Sequence, residues 1–166
     1  DMDDYFNAKL SLLKLAPNIV VNVDNEWTAK VPSLLPDKHI TTFGMKNKAD
    51  ISMKNIRPSN SSVEFTLVMN GEENDIKVSI PGEYMAYNAL GAIAVSSYFD
   101  VTVDNIRKAL NPFRVFGRSE MVPNKLGLTI MIDYAHTPSS LESILKTVKP
   151  YTKGRVICTW GVGGDR

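Results

Sequence analysis

A chain of 166 residues, 43% hydrophobic and 22% charged, can bury a real core and has the composition of an ordinary globular protein of one domain or one and a part. Its net charge of +1, with no basic block, excludes the concentrated positive face that nucleic acid binding needs. One cysteine excludes a disulfide framework or a cysteine metal knuckle; no apolar run is long enough to cross a bilayer and no signal-peptide pattern is present, so a reducing cytoplasm is the expected home.

The first helix is expected over Asp3 to Leu15. Asn18 to Asp24 is a β-branched run that reads as a buried strand. A short helix is expected over Asn25 to Leu34, ending near Pro36. Strands follow at His39 to Phe43, Ile51 to Arg57, Val63 to Met69 and Asp75 to Ile80. The last two alternate and are joined through Asn70-Gly71, a strong hairpin signal, so this block reads as a small antiparallel sheet. Glu83 to Phe99 is apolar almost all round and is expected as a buried helix. Thr102 can cap a shorter helix through Leu110.

Asn111 to Gly117 is a connector. Ser119 to Val122 and Leu128 to Asp133 can pair across Pro123 to Gly127. Thr137 and Pro138 open a helix to Lys149, with Leu141, Ile144, Leu145 and Val148 at helical spacing. A strand is expected from Arg155 to Trp160, with Cys158 buried in it. The class is α/β. A domain boundary is expected between Pro112 and Leu128.

Several polar residues stand where chemistry or structure could use them. Lys9 falls with Phe6, Leu10 and Leu13 at i, i+3, i+4 and i+7, inside an apolar stripe. A buried ammonium must be paired or chemically altered; otherwise it snorkels to solvent. Asn88 is the main polar group of an apolar helix turn, where a buried amide needs partners. Arg118 follows Gly117 and offers a planar fork for phosphate oxygens, or a salt bridge to Glu120. Asp133 stands at a strand end, where α/β proteins build sites, and either accepts from two hydroxyls or caps the turn above it. His136 can contact a phosphate or donate to a backbone carbonyl, and the second is favoured. His39 is isolated and has no assigned role. Gly161, Gly163 and Gly164 follow an apolar run, but their spacing is not Gly-x-Gly-x-x-Gly, so the loop is weak evidence for a nicotinamide cofactor.

Asp133-Tyr134-Ala135-His136-Thr137-Pro138 resembles a signature of the Mur ligases, ATP-dependent amide-forming enzymes of peptidoglycan synthesis. Tyr87-Asn88-Ala89-Leu90 resembles the family's adenine-side helix, and Gly117-Arg118-Ser119-Glu120 its Gly-Arg-x-Glu turn. Gly161 to Arg166 resembles the glycine-rich loop opening its last domain, and Asp1 to Ala16 the helix after its metal-site loop. Ser119 departs from the family pattern, which more often has a larger residue there. The ordered set resembles most the branch that extends a muramoyl dipeptide.

The resemblance implies a central ATPase domain with a small antiparallel sheet over 1–117 and the start of a Rossmann-like C-terminal domain over 118–166. It implies ATP and Mg²⁺ as cofactors, and a UDP-linked muramoyl peptide and an amino acid as partners, with no nucleic acid and no membrane. Lys9 matches the family's carbamylated lysine, whose new carboxylate would suit Mg²⁺. Asn88 matches the adenine-reading amide and Arg118 the ATP-phosphate contact. Asp133 and His136 complete the implied nucleotide set. The reaction implied is phosphorylation of a carboxylate to an acyl phosphate, then attack by an amine. A folylpolyglutamate or cyanophycin synthetase, or a non-catalytic binding fragment, are the competing readings. Both ends look cut, and no Gly-x-x-x-x-Gly-Lys-Ser/Thr occurs in these residues, so the segment alone is expected to be inactive.

Overall fold

The computed structural model describes residues 1–161, so the expected glycine-rich loop lies, apart from Gly161, outside the described residues. Helix α1 spans Met2–Leu13 and is closed at its start by a reciprocal capping box between Asp1 and Asp4. Strand β1 (Asn18–Asn22) follows. Then come a 3-10 turn at Thr28–Lys30 and a one-turn α2 (Val31–Leu34), in place of the single helix expected over 25–34. Pro32 lacks the N–H that a continuous helix would direct at the carbonyl of Thr28. Strands β2 (His39–Gly44), β3 (Ile51–Pro58), β4 (Val63–Met69) and β5 (Glu72–Val78) lead into α3 (Glu83–Ser96), which a 3-10 turn extends to Phe99. The short α4 (Val103–Leu110) is capped by Thr102, as expected.

The five strands form one sheet in the order β1-β2-β3-β4-β5. β1, β2 and β3 run parallel, while β3, β4 and β5 are antiparallel. The expected antiparallel block is thus joined edge-on to a parallel pair, and the architecture is α/β. The pairing type decides what each strand must look like. A parallel pair is covered on both faces and reads as continuous β-branched sequence. Ile19, Val21 and Val23 face one cluster with Val31 and Leu35, and α1 adds Phe6, Leu10 and Leu13 to it. Val20, between them, belongs to the main core on the other face.

The antiparallel strands bury chiefly one face, with Thr66 the buried exception on the other. Val63, Phe65 and Leu67 of β4 and Ile76 and Val78 of β5 pack with Ala86, Leu90, Ile93 and Ala94 of α3. The opposite face carries Lys54–Glu73 and Lys77–Glu64 ion pairs in solvent. The β4–β5 register brings Met69 opposite Glu72. Asn70 and Gly71 both have positive φ, 55° and 78°, as a two-residue hairpin with native strand twist requires.

Beyond α4 the chain makes a second, two-stranded sheet, with β6 (Glu120–Met121) antiparallel to β7 (Met131–Ile132). Helix α5 (Pro138–Val148) opens on a Thr137–Ser140 capping box with Pro138 in its first turn. The strand expected at 155–160 does not form. A strand needs a neighbour's backbone groups, and this stretch pairs with none among the described residues. Cys158 is accordingly exposed, not buried. Trp160 is tied back by its indole N–H, which donates to the Ala135 carbonyl at 3.3 Å.

One carboxylate joins three parts of the larger unit. Asp24, just beyond β1, accepts from the backbone N–H groups of Met45 (2.6 Å), Lys46 (3.0 and 3.1 Å) and Asn47 (2.8 Å). It also accepts from the Tyr87 hydroxyl of α3 at 2.9 Å. The approach is close enough that a Cβ on Gly44 would meet Asp24 Oδ1 at 2.9 Å. Burial pushes the Asp24 carboxyl up, but these four donors outweigh it and hold the group below its ordinary value. The same burial, and the Asp24 charge beside it, push the Tyr87 phenol up, so it remains a donor.

A carboxyl whose folded value lies below its unfolded value of about 3.9 stabilises the fold above that pH, and the contribution drains away as pH falls through the lower folded value. Asp24→Asn is expected to cost about 2–3 kcal/mol at neutral pH, since an amide cannot accept from all four donors. Melting temperatures measured between pH 7 and pH 3 should show this deficit shrinking toward the acid end.

Candidate functional site

A cavity of about 550 Å³ opens at the seam between the two units. Tyr84, Met85 and Asn88 line it from α3, Phe113 and Val115 from the connector, Arg118 and Asp133 from the ends of the small sheet, and Ser140, Ser143 and Ile144 from α5. Its size is that of a small-molecule site. Met85, Phe113, Val115 and Ile144 make apolar walls. An amide, a guanidinium, a carboxylate and three hydroxyls converge around them. Such a lining suits a flat heterocycle carrying a hydroxylated, anionic tail.

Three of the five residues singled out from sequence therefore meet in one place: Asn88, Arg118 and Asp133. Asn88 is exposed on the cavity wall, not buried as its apolar neighbours suggested. Among the described residues its amide donates only to the Met85 sulfur, at 3.7 Å. The helix turns most of its apolar surface to the sheet and leaves the Tyr84–Asn88 face toward the seam. Arg118 is also exposed and stands with its guanidinium 4.7 Å from the centre of the Tyr134 ring. Glu120 does not pair with it; the Glu120 carboxylate accepts from the Gly117 N–H at 2.7 Å and closes the turn instead. The Arg118 guanidinium is thus presented to the cavity by a turn held together by the Arg118 backbone N–H on the Val115 carbonyl and by Glu120, without its own side chain.

Asp133 caps. Its Oδ1 accepts from Ala135 N–H at 2.8 Å, and its Oδ2 accepts from the Ser119 N–H at 2.7 Å and the Ser119 hydroxyl at 3.3 Å. His136 is exposed, with Nδ1 3.0 Å from the Tyr134 carbonyl and its ring 4.9 Å from the Tyr134 ring. That is the favoured sequence reading, and His136 does not line the cavity. Lys9 is exposed, with Nζ 5.4 Å from the Tyr5 ring centre. It sits at the edge of the stripe formed by Phe6, Leu10 and Leu13, which alone reach the core. Its long stem lets the ammonium leave that edge for water.

Tyr84, which lines the cavity, and Ser119, which it bonds, were not apparent as site residues from sequence. Tyr84 is half-buried; burial pushes its phenol up, and its hydroxyl lies 2.6 Å from the Ser119 hydroxyl. Its signal was positional: Tyr84 and Asn88 are four residues apart on a helix and share a face. Ser119 is buried and left-handed at φ 46°, and no sequence rule announces such a serine.

Residues 1–96 match the Mur ligase middle domain, and residues 117–166 match the Mur ligase glutamate ligase domain. A UDP-N-acetylmuramoyl-L-alanyl-D-glutamate–2,6-diaminopimelate ligase of Clostridium botulinum is 39% identical over 167 residues, covering 99% of this chain and 34% of that protein. The corresponding ligase of Clostridium perfringens is 34% identical over 170 residues, covering 99% and 35%. The chain spans about a third of the length of these curated relatives. A solved structure of a ligase of the same name superposes with a TM-score of 0.78 at 21% identity, covering 100% of this chain and 36% of that one. The UDP-N-acetylmuramate-alanine ligase of Thermotoga maritima gives 0.75 at 24% identity, covering 90% and 34%. At those identities the superpositions show a shared fold.

Because Asn88 is exposed and, among the described residues, its amide bonds only to a thioether, Asn88→Ala should change folding stability by no more than about 0.5 kcal/mol. Scanning calorimetry checks this; a larger loss would mean that the amide works in the fold and not at the cavity.

Proposed function

The chain belongs to the Mur ligase family, and from that premise we propose that it forms the nucleotide-binding seam of an ATP-dependent ligase of peptidoglycan synthesis. In this reading 1–117 is the later part of the central domain and 118–166 opens the C-terminal domain. Support for the division comes from the two matched stretches and from the change of sheet after α4. The substrate would be a UDP-N-acetylmuramoyl dipeptide and the setting cytoplasmic; among the described residues no helix is long and apolar enough to cross a membrane. The relatives' names make 2,6-diaminopimelate the first amino acid to test, with lysine as the comparison.

The observation that carries the reading is the convergence of Asn88, Arg118 and Asp133 on one cavity. The cavity's apolar walls would take the adenine, with Asn88 supplying the amide that reads its edge. Asp133 would face the ribose while holding the turn. Arg118 would reach the phosphates, and its planar fork suits their oxygens. The chemistry needs this help because a carboxylate is a poor electrophile and hydroxide a poor leaving group. Its phosphorylation by ATP gives an acyl phosphate and ADP. The amine of the amino acid then attacks the acyl carbon, and phosphate departs with the bonding pair. Arg118 would stabilise the charge spread over the transferring phosphoryl group.

Lys9 fits one part of a Mg²⁺ site. Its exposed amine is open to carbon dioxide, and the carbamate would present oxygens, which Mg²⁺ prefers. Among the described residues no group of three His, Cys, Asp or Glu side chains converges to hold a metal ion by itself. The remaining ligands would be phosphate oxygens, water and groups beyond these residues. A bound Mg²⁺ would neutralise charge on the phosphates.

The full-length protein is expected to release ADP only when the UDP-linked dipeptide and the correct amino acid are both present, and Arg118→Lys should lower kcat about ten- to hundredfold with little change in melting temperature. Unchanged kcat with lost stability would remove Arg118 from the site. Lys9→Ala should be severely impaired and partly rescued by formate or acetate, which can stand in for the missing carboxylate. Near-normal turnover by Lys9→Ala would eliminate the carbamate.

A further inference from the structure

Ser119 occupies a left-handed conformation, φ 46°, that an L residue seldom adopts, and it is only 4% exposed. Such a residue persists where its surroundings over-determine it, most often at functional sites. Here two side chains hold it through three contacts. Its N–H donates to Asp133 Oδ2 at 2.7 Å. Its hydroxyl lies 3.3 Å from the same oxygen and 2.6 Å from the Tyr84 hydroxyl. A carboxylate can only accept, so the one Ser119 hydroxyl proton goes to Asp133. The Tyr84 phenol must then donate to Ser119. Burial pushes that phenol up, which keeps its proton in place.

The direction of the relay is therefore Tyr84 to Ser119 to Asp133, from α3 across the seam to β7. Tyr84 shares its helix face with Asn88, one turn on. Ser119 is bonded covalently to Arg118, and Asp133 to Tyr134, on whose ring the Arg118 guanidinium rests. One hydroxyl thus connects the wall that carries the amide to the turn that carries the guanidinium. A larger apolar side chain at position 119 could not make either bond.

We propose that Ser119 is a positioning residue: its hydroxyl, held by Tyr84 and Asp133, sets the separation between Asn88 and Arg118 so that both ends of one nucleotide are engaged together. This rests on the nucleotide-binding reading above. The relay acts on the transferring end of the ligand, because α3 is anchored independently by its core contacts and by Tyr87 on Asp24. Losing the relay displaces the arginine and leaves the amide where it is.

The test uses the full-length protein, with kcat and the KM for ATP measured for Ser119→Ala, Tyr84→Phe and the double variant, and Arg118→Lys as the control. Tyr84→Phe keeps the ring and removes only the donor. Each single change should lower kcat about tenfold, as a small displacement of a catalytic group does, with the KM for ATP within about twofold of wild type. The double variant should be no worse than either single, because both break the same chain of bonds. Full kcat in both single variants, a change in melting temperature alone, or losses that multiply in the double variant would each overturn the proposal. If Arg118→Lys is impaired while the Ser119 and Tyr84 variants are not, the relay fails and the nucleotide reading stands. If wild-type protein forms no amide with ATP, or Arg118→Lys keeps full kcat, the nucleotide reading falls and the relay with it.

Discussion

The Asp24 carboxylate is the constraint on which the larger unit depends. It takes three consecutive backbone N–H groups after β2 and the Tyr87 hydroxyl of α3. Each donor would otherwise need water or another partner, since partly buried polar groups are costly when unpaired. One charge therefore fixes the end of β1, the loop after β2 and the azimuth of α3. Rotation of α3 by one residue would move Tyr87 off the carboxylate and Asn88 off the cavity together. The glycine at position 44 follows from the same constraint, because the chain passes too near the carboxylate for a side chain.

The sheet and its helices divide the remaining work. The parallel pair is sandwiched between α1 and α3 and gains its stability from β-branched residues on both faces. The antiparallel strands give one face to α3 and the other to water, where exposed ion pairs contribute little. Helix α3 is common to both halves. It is mostly apolar because it crosses the whole sheet, and its polar groups are spent at Asp24, through Tyr87, and at the seam. The cavity is thus formed where the best-packed helix of the first unit meets the small sheet and α5 of the second.

At that seam, what a polar side chain does is decided by what its neighbours leave free. Glu120 is occupied by the Gly117 N–H, so it does not neutralise Arg118. Asp133 is occupied by Ser119 and Ala135, so its main structural task is to hold two turns in place while it faces the cavity. His136 is turned to the Tyr134 carbonyl. The guanidinium that remains, lying on an aromatic face and exposed to the cavity, is the group best placed to meet an anion.

The sequence by itself determined the features whose causes lie within a few residues. Asn70-Gly71 made the hairpin because both positions tolerate positive φ. Thr102 and Thr137 capped their helices because each hydroxyl reaches an N–H three residues on. The apolar periods of α1 and α5 set their buried faces, and the spacing of four short motifs pointed to the family. The tertiary structure alone decided what depends on distant neighbours. Asn88 proved exposed because α3 meets a seam there and not a strand. Lys9 left the edge of its stripe because Phe6, Leu10 and Leu13 sufficed to cover β1. Cys158 is exposed because 155–160 pairs with no strand among the described residues. Ser119 became a link only because Tyr84, 35 residues earlier, and Asp133, 14 residues later, close on it. Local periodicity and capping act over one helical turn and can be read from the chain; the partner of a polar side chain is chosen by packing between elements, and no short window of sequence contains it.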